Sequence, residues 1–232
     1  MSDSSGHRQR VKDRFRQEGL EHFHEIHVLE LLLFYCIPRV DTKPLARRLI
    51  DHFGSLAQVL EAAPAELERV EGIGSNVSTY LSLITQVGRY YLSSRLSNTT
   101  VLDSADKYGA YLVSRFFGQR NEVVYLLCLD AKCKVLCCKK IAEGSVNSAG
   151  VSPRKVVEVA LGVNATTVIL AHNHTSGLAL PSTEDIVTTR QIARALNTVE
   201  ITLADHIVVA DNDFVSLVQS GLYVPDTLQT FV

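Results

Sequence analysis

The chain has 232 residues, of which 46% are hydrophobic and 21% are charged, with a formal net charge of −2 at pH 7. This composition is typical of a globular protein with one large domain or two small ones. The near-neutral charge excludes the strongly basic footprint of a chain that binds nucleic acid over its whole surface.

The N-terminal residues, the apolar runs and the cysteines indicate where in the cell the protein is expected. The N-terminal residues are polar and lack the apolar core of a signal peptide, and no apolar run reaches the roughly 18 residues that a membrane span needs. The five cysteines form no C-x-x-C pair, and an odd count argues against a disulfide framework. We therefore expect a cytoplasmic protein with reduced thiols and no membrane partner.

The first hundred residues carry helical patterns. The apolar stripe in HVLELLLFYCI predicts one helix, and TKPLARRLIDHFG predicts a second, with Pro44 early in it and Gly54 just past its end. Three more helical pieces follow, with Gly72 and Gly74 between the last two. A polar stretch, SSRLSNTTVLDSAD, then marks a boundary, so we predict an all-α domain over residues 1–98.

Residues 101–232 alternate between strand and helix patterns. EVVYLLCLD and KVLCCKKIAEG predict a β-hairpin, and SPRKVVEVALGVN predicts a helix capped by Ser152. A buried strand, a helix and a pair of strands follow, in ATTVILAHNH, PSTEDIVTTRQIARALNTV and ITLADHIVVADNDFVSL. We therefore predict a second domain of the α/β or α+β class, with a mixed central sheet flanked by helices.

Two histidines and an aspartate stand close together in AHNHTSGLALPSTEDI. His172 and His174 lie two residues apart at a strand end, so their side chains point to the same side. Asp185 follows in the first turn of the next helix. Two imidazoles and one carboxylate are the donor set of a catalytic zinc site, which keeps a fourth position for water. Ser182 and Asp185 also read as S-x-x-D, a capping box that begins a helix.

The spacing of His172, His174, Ser182 and Asp185 resembles the JAMM (MPN+) metalloprotease motif, and the surrounding sequence resembles the RadC family of bacterial JAMM-domain proteins. The resemblance covers nearly the whole chain, including the predicted all-α domain of residues 1–98, the helical leader. It implies a JAMM-type fold and a zinc-dependent hydrolase that cleaves a peptide or isopeptide bond in an unknown protein substrate. His172, His174 and Asp185 would be the zinc ligands, and Ser182 would hydrogen-bond the attacking water or the oxyanion.

JAMM enzymes also use an upstream glutamate as general base, and two glutamates are candidates. Glu122 begins the first strand of the hairpin and resembles that position, while Glu143 ends the second strand. We favour Glu122. Thr175 stands where the RadC family usually has proline, which predicts a looser turn after the ligands. His206 is either a partner of the site or a hydrogen-bonded core residue.

The leader supports a second hypothesis, a DNA-repair accessory protein with weak activity or none. LERVEGIGSNVSTYLSL resembles a helix-hairpin-helix, in which Gly72 and Gly74 would present backbone N–H groups to a DNA phosphate. The basic run from Arg8 to Arg16 is alternatively a flexible solvated tail. The histidines of EHFHEIH are expected on the surface rather than around a second metal. A two-metal nuclease is the least favoured reading.

Overall fold

The computed structural model describes residues 3–95, 101–144 and 151–226. The chain divides into two compact units, residues 1–88 and 89–232. The predicted boundary near residue 100 falls at residues 96–100, which lie outside the described residues, so its position stays a prediction. Within the described residues, no helix combines the length and the apolar character that crossing a membrane requires.

Helices build the first unit, as the sequence predicts. In chain order they are α1 (Asp3–Glu18), α2 (Glu25–Cys36), α3 (Lys43–Phe53), α4 (Leu56–Glu61), α5 (Pro64–Leu67) and α6 (Ser75–Arg95). The last residues of α6, from residue 89 on, belong to the second unit. The centre of the first unit's core is formed by side chains without exposure to solvent, which are Leu29, Leu33, Leu49, Leu67 and Leu81 among others. Gly54 ends α3 with a φ of 95°, a conformation that glycine adopts without strain.

The basic run near the N-terminus lies in α1 and contacts other parts of its unit. It is therefore not the flexible solvated tail that the sequence analysis gave as an alternative. The guanidinium of Arg8 lies 4.7 Å from the ring centroid of Phe34 and donates a 2.6 Å hydrogen bond to the carbonyl of Ile37. Arg14 lies 4.8 Å from the ring centroid of Phe23. Stacking on aromatic rings orders this segment, an effect that charge composition does not reveal.

The second unit contains the predicted mixed sheet. Its elements are α7 (Ala105–Phe116), β1 (Val123–Leu129), β2 (Val135–Glu143), α8 (Pro153–Gly162), β3 (Thr167–Asn173), α9 (Thr183–Asn197), β4 (Thr202–Ala210) and β5 (Asp213–Ser216). The strand order is β2-β1-β3-β4-β5, and among the described strands only the β3–β4 pair, joined through α9, is parallel. Ser152 precedes α8 as predicted, but its side chain makes no capping hydrogen bond.

Both faces of this sheet are covered. One face packs its apolar side chains, including Leu126 and Leu170, with Ile192 of α9. The other face packs Leu127 and Ile169 with residues of α7, a helix that the sequence did not predict. Because β3 lies in the middle of the sheet, six of its seven residues are buried, including the polar residues at its end.

A buried carboxylate links α7, β5 and the turn that follows β5 to β4. Asp205 has no solvent exposure, and its Oδ2 accepts hydrogen bonds from Tyr108 Oη at 2.7 Å and Ser216 Oγ at 2.5 Å. Its Oδ1 accepts from the backbone N–H groups of His206 at 2.7 Å and Val218 at 3.1 Å. A buried charge is tolerated when its lone pairs are satisfied in this way.

We expect Tyr108→Phe to lower the free energy of unfolding by about 1.5–3 kcal/mol, because it removes one donor from a buried carboxylate and keeps the ring. Chemical denaturation measures this difference. Tyr90→Phe is the matched control, since Tyr90 is 78% exposed. Equal stability of the two variants would show that the bond to Asp205 contributes nothing.

Candidate metal centre

The end of β3 brings two histidines to one side of the sheet. His172 pairs with Val208 of the parallel strand β4 and with Val124 of the antiparallel strand β1, and it is 1% exposed. The backbone N–H of His174 donates to the carbonyl of Val209 at 2.8 Å, so the ladder extends past the last strand residue. The backbone of His172 is therefore paired on both sides, and the backbone of His174 is paired on the β4 side.

The chain then turns back through residues 175–181 and begins α9 with a capping box. Gly177 has a φ of 79°, and Thr175 is exposed. Ser182 Oγ accepts from the backbone N–H of Asp185 at 3.1 Å, while Asp185 Oδ2 accepts from the backbone N–H and the hydroxyl of Ser182 at 2.8 and 2.7 Å. The helix start thus fixes the carboxylate without using Oδ1.

His172, His174 and Asp185 converge, as their spacing predicts. One ligand atom from each lies within 4.8 Å of the other two, and in the described part of the chain no other such group is found. His172 Nε2 lies 2.9 Å from His174 Nε2 and 3.2 Å from Asp185 Oδ1. Burial raises the pKa of Asp185, but the close contact with His172 and the hydrogen bonds from Ser182 outweigh burial and hold that pKa below its usual range. These residues could hold a metal ion.

The strand register separates the two candidate glutamates. Glu143 pairs with Val123, whereas the neighbouring residue Val124 pairs with His172, so Glu143 belongs to the opposite face of the sheet from the histidines. Glu143 is exposed, and a hydrogen bond from Lys140 lowers its pKa. Continuing the β1–β3 register by two residues puts the half-buried Glu122 across from His174.

Asn173, which lies between the two histidines, is a residue that the sequence did not single out. It is 6% exposed; its Oδ1 accepts from the N–H of Val123 at 2.8 Å, and its Nδ2 donates to the carbonyl of Asn121 at 3.1 Å. Those two backbone groups stand on either side of Glu122. Asn173 therefore attaches the segment that carries Glu122 to the strand that carries the histidines.

His206 lies behind His172, and Thr189 lies behind His206. The Nε2 of His206 is 2.8 Å from His172 Nδ1, and its Nδ1 is 2.6 Å from Thr189 Oγ1. Thr189 also donates a 2.6 Å hydrogen bond to the carbonyl of Asp185, four residues earlier on α9. The only sequence signal for Thr189 is its helical spacing from Asp185, which puts both on one helix face.

The residues singled out in the leader belong to the other unit. Gly72 has a φ of 94° in the hairpin between α5 and α6, and Gly74 directly precedes α6. His22 and His24 are exposed, and His24 caps α2 by accepting from the N–H of Ile26 at 3.4 Å. His22 and His24 thus have the surface positions that the sequence favoured, whereas His27 is half-buried.

We expect Ser182→Ala to lower the free energy of unfolding by about 1 kcal/mol, because the substitution removes a formed N-cap hydrogen bond. Ser152→Ala is the matched control: Ser152 also precedes a helix, but its side chain caps nothing. Thermal and denaturant melts compare them. A loss of equal size in both variants would contradict a specific role for the capping box of α9.

Comparison with known proteins agrees with this geometry. A sequence profile described as a RadC-like JAB domain matches residues 102–222, which is more than half of the chain. The UPF0758 protein FN0909 of Fusobacterium nucleatum subsp. nucleatum is 33% identical over 227 residues, and the match covers 95% of this chain and 98% of that protein. The chain therefore belongs to the RadC family and carries a RadC-like JAB domain.

Proposed function

We propose that this protein is a zinc-dependent hydrolase of the JAMM type, which cleaves a peptide or isopeptide bond in a protein or peptide substrate. The observation that carries the proposal is the convergence of His172, His174 and Asp185 within 4.8 Å on the end of a buried strand. Membership in the RadC family, with its JAB domain, supports the same chemistry.

The donor set fits zinc. Two imidazole nitrogens and one carboxylate oxygen are ligands that Zn²⁺ prefers, and three protein ligands leave one position for water. The ligand atoms already face one another, with His172 Nε2 lying 2.9 Å from His174 Nε2 and 3.2 Å from Asp185 Oδ1. When bound, zinc would act as a Lewis acid and lower the pKa of a water molecule to about 7.

Glu122 and Ser182 are proposed for the remaining roles. Glu122 would take a proton from the attacking water and deliver it to the leaving amine. In the structure the single hydroxyl proton of Ser182 points to Asp185 Oδ2, which also receives the N–H of Ser182. Ser182 can therefore redirect its proton to an oxyanion while Asp185 keeps a donor.

Metal analysis tests the proposed ligands. We expect about one zinc per wild-type chain and a marked loss in His174→Ala, because two remaining ligands hold Zn²⁺ weakly. His22→Ala, an exposed histidine of the leader, should keep the wild-type content. Equal zinc in the wild type and in His174→Ala, or none in either, overturns the proposed metal centre.

Hydrolysis of a peptide library, followed by mass spectrometry, tests the general base. We expect Glu122→Gln to keep its zinc and to lose at least about 100-fold in rate, since proton transfer by a positioned group contributes that much. Glu143→Gln should cleave like the wild type, because Glu143 lies on the other face of the sheet. The reverse result would assign the base to Glu143.

A second candidate function is DNA binding through the helical leader. It is favoured by the hairpin of Gly72 and Gly74, whose last glycine directly precedes the N-terminal end of α6. The free backbone N–H groups at such an end attract phosphate. In this reading the protein is an accessory factor of DNA repair, and the JAB domain is its second part.

Gly74→Asp tests DNA binding. A Cβ atom added at residue 74 would meet nothing within 4 Å, and aspartate is favoured at the position directly before a helix. We expect the variant to fold and to repel phosphate. Wild-type affinity for single-stranded DNA, measured by fluorescence anisotropy, should fall with a log–log salt slope of about −0.7 per phosphate. Gly162→Asp is the control, because a Cβ atom added at residue 162 would also meet nothing within 4 Å. Absence of binding at low salt overturns this candidate.

A further inference from the structure

A buried row of hydrogen bonds runs from the backbone of α9 to the ring of His172. It begins at the carbonyl of Asp185, passes through the hydroxyl of Thr189 and the ring of His206, and ends at His172 Nδ1, with separations of 2.6, 2.6 and 2.8 Å. Thr189 has no exposure and His206 only 2%, so the polar atoms of this row depend on one another rather than on solvent.

The donors and acceptors in this row allow one direction for its hydrogen bonds. A backbone carbonyl can only accept, so the single proton of Thr189 is committed to Asp185. The oxygen of Thr189 must then accept from His206, which places a proton on His206 Nδ1. The ring of His206 is 2% exposed, and its hydrogen-bond partners are a hydroxyl and an imidazole with no carboxylate among them, so its surroundings suit the neutral ring. The Nε2 of a neutral His206 carries a lone pair and accepts the proton on His172 Nδ1.

A neutral His172 with its proton on Nδ1 presents a lone pair on Nε2, the atom that faces His174 Nε2 and Asp185 Oδ1. This is the tautomer that a metal ligand needs. We infer that Thr189 and His206 are positioning residues, which hold His172 in its metal-binding tautomer and orientation before any ion arrives. The inference rests on the proposed zinc site and assigns its affinity to two residues outside the ligand set.

His174 provides a contrast within the same site. Its side chain is 19% exposed, and in the described part of the chain its Nδ1 has no hydrogen-bond partner. Water can satisfy that nitrogen in either tautomer. The two histidines are thus unequal: the protein prepares His172, whereas the ion selects the tautomer of His174.

Thr189→Val tests the inference, because valine keeps the shape of threonine and removes the hydroxyl. We expect zinc to bind about 10–100-fold more weakly, as is typical when a partner behind a ligand is lost, with one ion per chain still bound at saturation. Competition with a chelator dye measures the affinity. Thr189→Ser, which restores the hydroxyl, should recover most of it.

A control separates this effect from loss of stability. Thr42 is likewise buried, at 1% exposure, and its hydroxyl has no hydrogen-bond partner in the described part of the chain, so Thr42→Val should bind zinc like the wild type. Nitrogen-15 NMR of the imidazoles in the metal-free wild type gives a readout that needs no variant. We expect a neutral His172 protonated on Nδ1.

The outcomes are distinct. A wild type that binds zinc, together with unchanged affinity in Thr189→Val, overturns the positioning role and leaves the proposed metal site standing. A His172 protonated on Nε2 in the metal-free wild type overturns it even if Thr189→Val does not fold. A wild type that binds no zinc overturns both the proposed function and this inference.

Discussion

The central position of β3 is the constraint on which the rest of the second unit depends. A strand with neighbours on both sides, β1 and β4, buries the polar side chains at its end, and each must find a partner. His172 has a hydrogen-bond partner on β4, and Asn173 has two partners, one at the first residue of β1 and one just before it. The candidate site is thus assembled by the need to satisfy buried polar groups.

Two consecutive residues of β4 divide this work between the faces of the sheet. Asp205 binds Tyr108 and Ser216 on the face covered by α7, while His206 contacts His172 and Thr189 on the face covered by α9. Asp205 also accepts a hydrogen bond from the backbone N–H of His206. The carboxylate that is held on the α7 face therefore also holds the backbone of His206, whose ring lies on the α9 face. The hydrogen bonds of Asp205 on the α7 face therefore help to fix the position of His172 on the α9 face.

The sequence predicts what local patterns determine. The spacing of His172, His174 and Asp185 is such a pattern, and so is the alternation that built the sheet. It did not predict Asn173, whose partner Asn121 is 52 residues away, or the contact of Tyr108 with Asp205 across 97 residues. The face on which Glu122 or Glu143 lies depends on strand register, which the sequence alone left open.

The capping box of α9 has a consequence for the order of events in the cell. Asp185 Oδ2 is already satisfied by Ser182, and Oδ1 is held in place by the same helix start. Many small zinc domains fold only when the ion arrives, because it supplies the energy that orders the ligands. In the proposed zinc site the capping box holds Asp185 without help from an ion, so we expect metal loading to follow the folding of α9.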